Sequence, residues 1–576
     1  MTDGASRQGG APEPVTCATL VTLHLRLLEL EAQEQRGRER QRRLKNASPT
    51  EPRVVNTGRT PCSVTVTLKV PERVRRRSRR TLAALCVDKG GRVDVARLSG
   101  GATYPAVVSD VTSHLLTLVI RGHPGIAPGE VLAVTPKIGD PTIDWMQKAL
   151  MRLASTTDGH VGRMRAALFA EEPLEKRRDT VEFALRQRRL AVIHGPPGTG
   201  KTTFLVEIIL QHRRLGHRVL VCAPSNTAVD NLLERLWKAG ASADLLRLGH
   251  PGRIRPSLHR FCLDRRVCMT SQPKVTSQTI LRSATVVLGT LTGVYNDLLR
   301  EVGNNPFDLT VIDECSQALE AACWVVAPYA AKLLLTGDHH QLPATILSKE
   351  AAHQGLALSL MERQVALHGD AAVRMLHTQY RMHELIQRWP SEAMYGGLLE
   401  AAPAVRRHRL SQLSGVRDTV ETGPVLLLID TAGCRPQETR HAKTGSRGND
   451  GEAGILAARV VALLRDGLSA GGIGVITPYA RQVELIGTRL RHLRLPVEVS
   501  SVDGFQGRER EAVLLSLLVV VCDTTTVRAD AFIASLVDHM VQHDTSEGAQ
   551  EDQRSCDQAL IELAGNLRLY HRGCRA

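Results

Sequence analysis

Residues 190–203 read Leu-Ala-Val-Ile-His-Gly-Pro-Pro-Gly-Thr-Gly-Lys-Thr-Thr. The first five have the apolar character of a strand buried on both faces. The next nine, Gly195, Pro196, Pro197, Gly198, Thr199, Gly200, Lys201, Thr202 and Thr203, fit the phosphate-loop pattern GxxxxGK[ST] directly after that strand. Glycines let backbone N–H groups close around phosphate oxygens. Lys201 then offers a charge to the β and γ phosphates, and Thr202 a hydroxyl to Mg²⁺. A chance glycine-rich turn is the bland reading; the strand before and the helical pattern after argue against it.

Working outward, the same texture repeats. LAVIHG, RVLVCAPS, TVVLGT, LTVIDE and KLLLTGD are short apolar runs ending in polar residues. A second set follows in VLLLIDT, GIGVITPY, VEVSSVDG and AVLLSLL. Runs of this kind predict parallel strands, so the fold class is α/β, with two doubly wound domains in tandem at 161–358 and 359–545. Upstream the pattern differs. Residues 1–17 are Gly-, Ala- and Pro-rich and read as disordered. A long helix is predicted over 18–48, a small antiparallel β-barrel over 49–138 and a second helix over 139–160, the two helices forming a stalk. Residues 546–576 read as a loose polar tail with a short terminal helix.

The formal net charge of +15 suits a polyanionic partner, although Arg-rich solvated surfaces produce the same balance. Residues 73–80, RVRRRSRR, read equally as a phosphate grip, a nuclear address or a solvated loop. The 12 Cys include no CxxC pair, which argues against a zinc module and a disulfide framework. No secretory signal or membrane-spanning run is read, so a monomer in the cytoplasm or nucleus is expected.

Three further strand ends carry chemistry. Asp313 and Glu314 close LTVIDE; acids at the end of a buried strand are costly unless a metal, a nucleotide or a helix terminus uses them. In the nucleotide reading Asp313 holds Mg²⁺ through water and Glu314 deprotonates the attacking water. Gln341, in GDHHQLP, is placed as a polar sensor of the γ phosphate. Arg381, in QYRMH, is placed to reach it as an arginine finger does. Taken alone, each of these last two is as readily a surface loop.

Taken together, APSNTAVDNL (223–232), LGTLTG (288–293), DECSQALEAACW (313–324), GDHHQLP (337–343), QYRMHELI (379–386) and SVDGFQGRERE (501–511) resemble the ordered motifs of superfamily 1 helicases. The likeness is to the branch that includes the nonsense-mediated-decay helicase, and within it to the immunoglobulin mu-binding protein group. It covers most of residues 185–545. The resemblance implies two RecA-like domains, with ATP and Mg²⁺ as cofactors. It also implies 5′-to-3′ movement on single-stranded RNA or DNA with duplex unwinding. By the same resemblance Lys201, Thr202, Asp313, Glu314, Gln341 and Arg381 serve the ATP site. Tyr380 stacks on adenine, Glu509 contacts the nucleotide or couples it to the strand, and Pro224, Ser225, Asn226, Thr290 and Ser501 line the nucleic-acid track. The barrel then clamps the strand.

The sequence departs from that family in one large respect. The last, arginine-rich motif is absent: GFQGREREAVLLSL runs straight into LVVVCDTTTVRADAF. Residues 512–522 form one apolar run broken only by Ser516, although parallel strands need a crossover of about a dozen residues between them. Two strands read as fused, with their connection removed. A splice variant, a mis-assembled gene or a degenerate copy would each leave this trace. Residues 175–179, EKRRD, lack the family's adenine-reading Gln, and the helical insertion at 254–284 is short. These departures keep two rivals open: an ATP-gated strand-binding protein with impaired hydrolysis, and a P-loop assembly ATPase without nucleic acid.

Overall fold

The computed structural model describes residues 16–45, 52–60, 63–69, 91–98, 102–112, 115–136, 141–157, 159–169, 180–241, 244–269, 276–295, 307–430, 438–441, 445–516, 535 and 546–548. The chain forms two units, Met1–Gly195 with Gly200–Leu376, and Pro196–Thr199 with His377–Ala576. Residues 73–80 and 175–179, the join after Ser516 and nearly all of the tail lie outside the described residues.

The first unit is built on strands β7 (Leu190–His194), β8 (Val219–Ala223), β9 (Leu245–Arg247), β10 (Val286–Thr290), β11 (Phe307–Ile312), β12 (Ala330–Gly337) and β13 (Val373–Met375). They form one sheet in the order β13-β7-β12-β11-β8-β10-β9, with every pairing parallel. Side chains alternate between two cores, one on each face. Leu190, Val192, Leu220, Cys222, Ile312, Leu333 and Leu335 enter one; Ala191, Ile193, Val219, Val221, Val311 and Leu334 enter the other. Both faces are covered, which is why these strands read as unbroken apolar runs.

Chain order on the sheet fixes where a ligand can sit. From β7 the chain passes over two strand positions to β8, runs out to β9, then returns through β10, β11 and β12 to lie beside β7. The C-terminal ends of β7, β12 and β11 are therefore neighbours at the point where the order reverses, the place where open α/β sheets bind ligands. The first unit ends later than the expected boundary at 358, because β13 adds to β7 and carries the preceding helix Leu360–His368 with it.

The N-terminal region of this unit holds strands β1 (Arg53–Thr60), β2 (Ser63–Lys69), β3 (Arg92–Arg97), β4 (Thr103–Val111), β5 (Leu115–Arg121) and β6 (Leu132–Pro136). They form an antiparallel sheet in the order β1-β2-β5-β4-β3-β6. Arg53 bridges to Val131, and Val54 N–H donates to the Glu130 carbonyl at 2.8 Å, so the two edge strands meet. Val64, Val66, Leu68, Val93, Val95, Leu116, Leu118 and Ile120 point to one shared core at period two. Helix Cys17–Lys45 packs on helix Pro141–Ser155, and both enter the same core as one face of the parallel sheet. Buried Glu31 fixes the first helix by accepting the Ser348 amide at 2.8 Å and the Leu347 amide at 3.0 Å. The second helix is shorter than its expected span, and Gly159–Leu168 forms a separate helix.

In the second unit β15 (Ile473–Ile476) lies between β16 (Glu498–Ser500) and β17 (Ala512–Leu515), all parallel. Helices Asp450–Arg465 and Ala480–His492 contribute Ala453, Val460, Ile486 and Leu490 to the core beneath Ile473 and Val475. The run VLLLIDT supplies only Leu428–Asp430 as strand (β14), paired with β18 (Ser546–Gly548) rather than with β15. The start of the expected loose tail is thus a paired strand.

Candidate nucleotide site and strand-facing residues

The sequence after β7 turns sharply because glycines permit it. Gly198 and Gly200 sit at φ 74° and 79°, in the left-handed region that glycine alone enters without strain. Helix Lys201–Arg214 starts at once, so its first N–H groups face the loop and supply the anion-binding end of the helix. The Gly195 amide donates to the Gly337 carbonyl at 2.9 Å, joining the loop's root to the end of β12. A Cβ at Gly195 would lie 2.1 Å from Lys201 Cγ, so the lysine stem folds over a space only glycine leaves open. The loop tip Pro196–Thr199 groups with the second unit, where the Gly198 carbonyl accepts the Tyr380 amide at 2.9 Å. Thr199 Oγ1 donates to the Pro196 carbonyl at 2.7 Å and holds the turn closed.

Lys201 Nζ lies 3.7 Å from Glu314 Oε1. Next to it Asp313 is buried, its Oδ1 accepting the Thr336 hydroxyl at 2.9 Å and the Glu314 amide at 2.9 Å. Burial first, and then the neighbouring Glu314 charge, push the Asp313 carboxyl up to about 6, against the opposing pull of Lys201 and those two hydrogen bonds. Glu314 holds a left-handed backbone at φ 51°, a conformation that costs a non-glycine residue about 1–3 kcal/mol. Gln317 Nε2 donates to its Oε2 at 2.7 Å. Gln341 donates through Nε2 to Asp338 Oδ2 at 2.7 Å, and Asp338 Oδ1 lies 2.9 Å from His194 Nε2. The adjoining His339 imidazole is held down to about 4, first by burial and then by the two histidines beside it. Thr202 and Thr203 occupy the first turn after Lys201.

The donor set fits Mg²⁺ with ATP. Thr202 offers an oxygen, and a cation would relieve the repulsion between buried Asp313 and half-buried Glu314. That fit has a pH consequence. A carboxyl raised to about 6 takes up its proton earlier on acidification than an ordinary aspartate, so the form that holds a cation is lost as pH falls through that value. Mg·nucleotide affinity should therefore drop by up to about tenfold per pH unit below about 6, and Asp313→Asn should remove this limb of the profile. Affinity of the parent held flat to about pH 4, the ordinary aspartate range, would contradict it. Isothermal titration across pH reads the difference.

The residues expected on the nucleic-acid track occupy the adjoining strand ends. Thr290 pairs with Ala223 across β10 and β8, next to Pro224, Ser225 and Asn226. Ser225 caps helix Asn226–Lys238, accepting the Ala228 amide at 3.1 Å. Asn226 Oδ1 is engaged by Arg247 Nη2 at 2.9 Å, which leaves its amide nitrogen for another partner. In the second unit Ser501 caps a short helix through the Gly504 amide, Tyr380 is exposed, and Arg381 Nε donates to Glu509 Oε2 at 2.9 Å. Sequence reading missed Asp338, the buried carboxylate that holds both Gln341 and His194, and it missed Arg247, which is wholly buried against Asp230 at 3.0 Å. An acid directly after a buried strand is the signal for the first; nothing local marks the second.

A glycine loop ending in a lysine at a helix start, facing two acids that follow one strand of the same parallel sheet with a single strand between, defines a P-loop nucleotide-binding protein. Two AAA domain models match the chain, one at residues 174–274 and 265–349 and the other at 356–528. The chain is 41% identical over 447 residues to DNA-binding protein SMUBP-2 of Mesocricetus auratus, covering 65% of this chain and 45% of that protein. It is 35% identical to DNA polymerase alpha-associated DNA helicase A of Schizosaccharomyces pombe, over 61% of this chain and 59% of that one. It is 33% identical to a Regulator of nonsense transcripts 1 homolog of Arabidopsis thaliana, over 57% of this chain and 29% of that protein. Over the matched residues the chain is thus similar to relatives named as a DNA-binding protein, a DNA helicase and a regulator of nonsense transcripts. The chain spans about half the length of the first of them. Among the described residues no helix is long and apolar enough to cross a membrane.

Proposed function

We propose that the chain is an ATP-dependent helicase or translocase that hydrolyses ATP to ADP and phosphate while moving 5′-to-3′ along single-stranded RNA or DNA. The observation that carries this reading is Lys201, which follows β7, lying 3.7 Å from Glu314, which with Asp313 follows β11, the two strands flanking β12. Thr202 and Asp313 would hold Mg²⁺, which offsets phosphate charge when bound. Lys201 binds the phosphates, Glu314 takes the proton of the attacking water, and Gln341 orients it. Tyr380, Glu509 and Arg381 are assigned to the nucleotide by resemblance. The strand lies along Pro224–Asn226, Thr290 and Ser501, held mainly through sugar and phosphate and therefore with little sequence preference. The antiparallel sheet with its two helices serves as a barrel clamp on a stalk.

A second reading rests on the fused apolar run at 512–522, with no arginine-rich stretch between its halves. In it the chain grips single strands under ATP control but turns over slowly, since losing such an arginine costs roughly 10³–10⁵ in rate. Anisotropy of a labelled oligonucleotide, with ADP and with a non-hydrolysable ATP analogue, tests what the two readings share. Nucleotide-dependent affinity that falls steeply with salt is expected. Oligonucleotide binding absent at low salt would remove both readings and leave the assembly ATPase.

A further inference from the structure

We propose that His194, His339 and His340 form a binding site for one divalent transition-metal ion of the Zn²⁺ class, separate from the Mg²⁺ set of Thr202 and Asp313. His194 ends β7 and pairs in register with Gly337 at the end of β12. The turn after Gly337 brings His339 and His340 back against it, so that one ring nitrogen from each of the three lies within 4.8 Å of the others. Ring centroids are 4.5 Å apart for His194 and His339, and 4.1 Å for His339 and His340.

The arrangement has the parts an imidazole site needs. Buried Asp338 lies 2.9 Å from His194 Nε2, the carboxylate–histidine contact that orients metal-binding imidazoles. His339 Nδ1 is buried with no hydrogen-bond partner, a state that a bound ion would relieve. Tetrahedral Zn–N bonds of about 2.0–2.1 Å put neighbouring nitrogens roughly 3.3–3.5 Å apart. The cluster must therefore close by about 1.5 Å at most from its 4.8 Å limit. His194 is fixed by burial, His339 is half-buried and His340 exposed, so rotation of the last two rings supplies that movement. Three imidazoles select Zn²⁺, Co²⁺, Ni²⁺ or Cu²⁺ over Mg²⁺, which takes oxygen ligands. Because Asp338 also holds Gln341 and the His340 amide, occupancy of the site acts on the sensor glutamine.

The test is a titration of the full, reduced chain with Co²⁺, followed by displacement with Zn²⁺ against a chromogenic chelator. One ion per chain is expected, with a visible band of the nitrogen-ligand type and no intense near-ultraviolet thiolate absorption. His340→Ala and His339→Ala should each weaken binding by roughly tenfold or more. The metal-free melting temperature of His340→Ala should match the parent, because that residue is exposed, and His340→Gln provides a second variant at the same place. Parent-like metal affinity in either alanine variant, a thiolate spectrum, or no stoichiometric binding would overturn the site.

Discussion

Glu314→Gln should leave Mg·ATP affinity close to that of the parent and slow hydrolysis by roughly 10²–10⁴. The substitution keeps the side chain's shape and an oxygen to accept from Gln317, which now donates to Glu314 Oε2 at 2.7 Å. What it removes is the basicity that takes the water proton. It also removes the charge facing Lys201, which frees the ammonium for phosphate and should keep binding from weakening. The strained backbone of residue 314 is unaltered, so the side chain stays aimed as before. Binding isotherms with single-turnover phosphate release separate the two effects. Parent-like turnover would take the general base away from Glu314.

Lys201→Ala should produce the converse split, with the loss appearing in ATP binding itself. Removing one partner of a close charge pair with phosphate costs about 2–5 kcal/mol, which is roughly 30- to several-thousand-fold in affinity. The lysine stem lies over Gly195 and its ammonium faces Glu314, so truncation takes away both the phosphate charge and the cation that moderates the Asp313–Glu314 repulsion. The metal-free protein should also melt lower at neutral pH than at mildly acid pH, where Asp313 is protonated. Equilibrium titration with a fluorescent ATP analogue reads the main effect. Affinity within about twofold of the parent would move the phosphate site away from this loop.

These two residues were legible because their chemistry is local. A buried strand that stops at Gly195 or Asp313 leaves polar groups that only a ligand or a cap can satisfy, and both strands carry enough apolar residues to be recognised alone. Within the expected barrel span β1 carries little signal of its own, because Arg53–Thr60 lines only part of the small core and shows little alternation. β13 was missed because Val373, Arg374 and Met375 are half-buried at the edge of the sheet, and the domain boundary moved with it. Asp338 and His194 lie 144 residues apart in sequence, so their contact follows from β12 returning beside β7. Arg247 ends a three-residue strand with nothing in the local sequence to mark it as buried. Its burial follows from the Asp230 and Asn226 side chains that helix Asn226–Lys238 brings over it. Local pattern identifies the strands and their chemical ends; the order of strands decides which ends meet.

Under the proposed function this site hydrolyses ATP in response to a polynucleotide. Phosphate release by the purified full chain, with and without single-stranded RNA and single-stranded DNA, tests it most directly. Slow release alone and several-fold or greater stimulation by at least one strand, abolished by Glu314→Gln, are expected. Release that polynucleotide leaves unchanged, or that persists at the parent rate in Glu314→Gln, would contradict it.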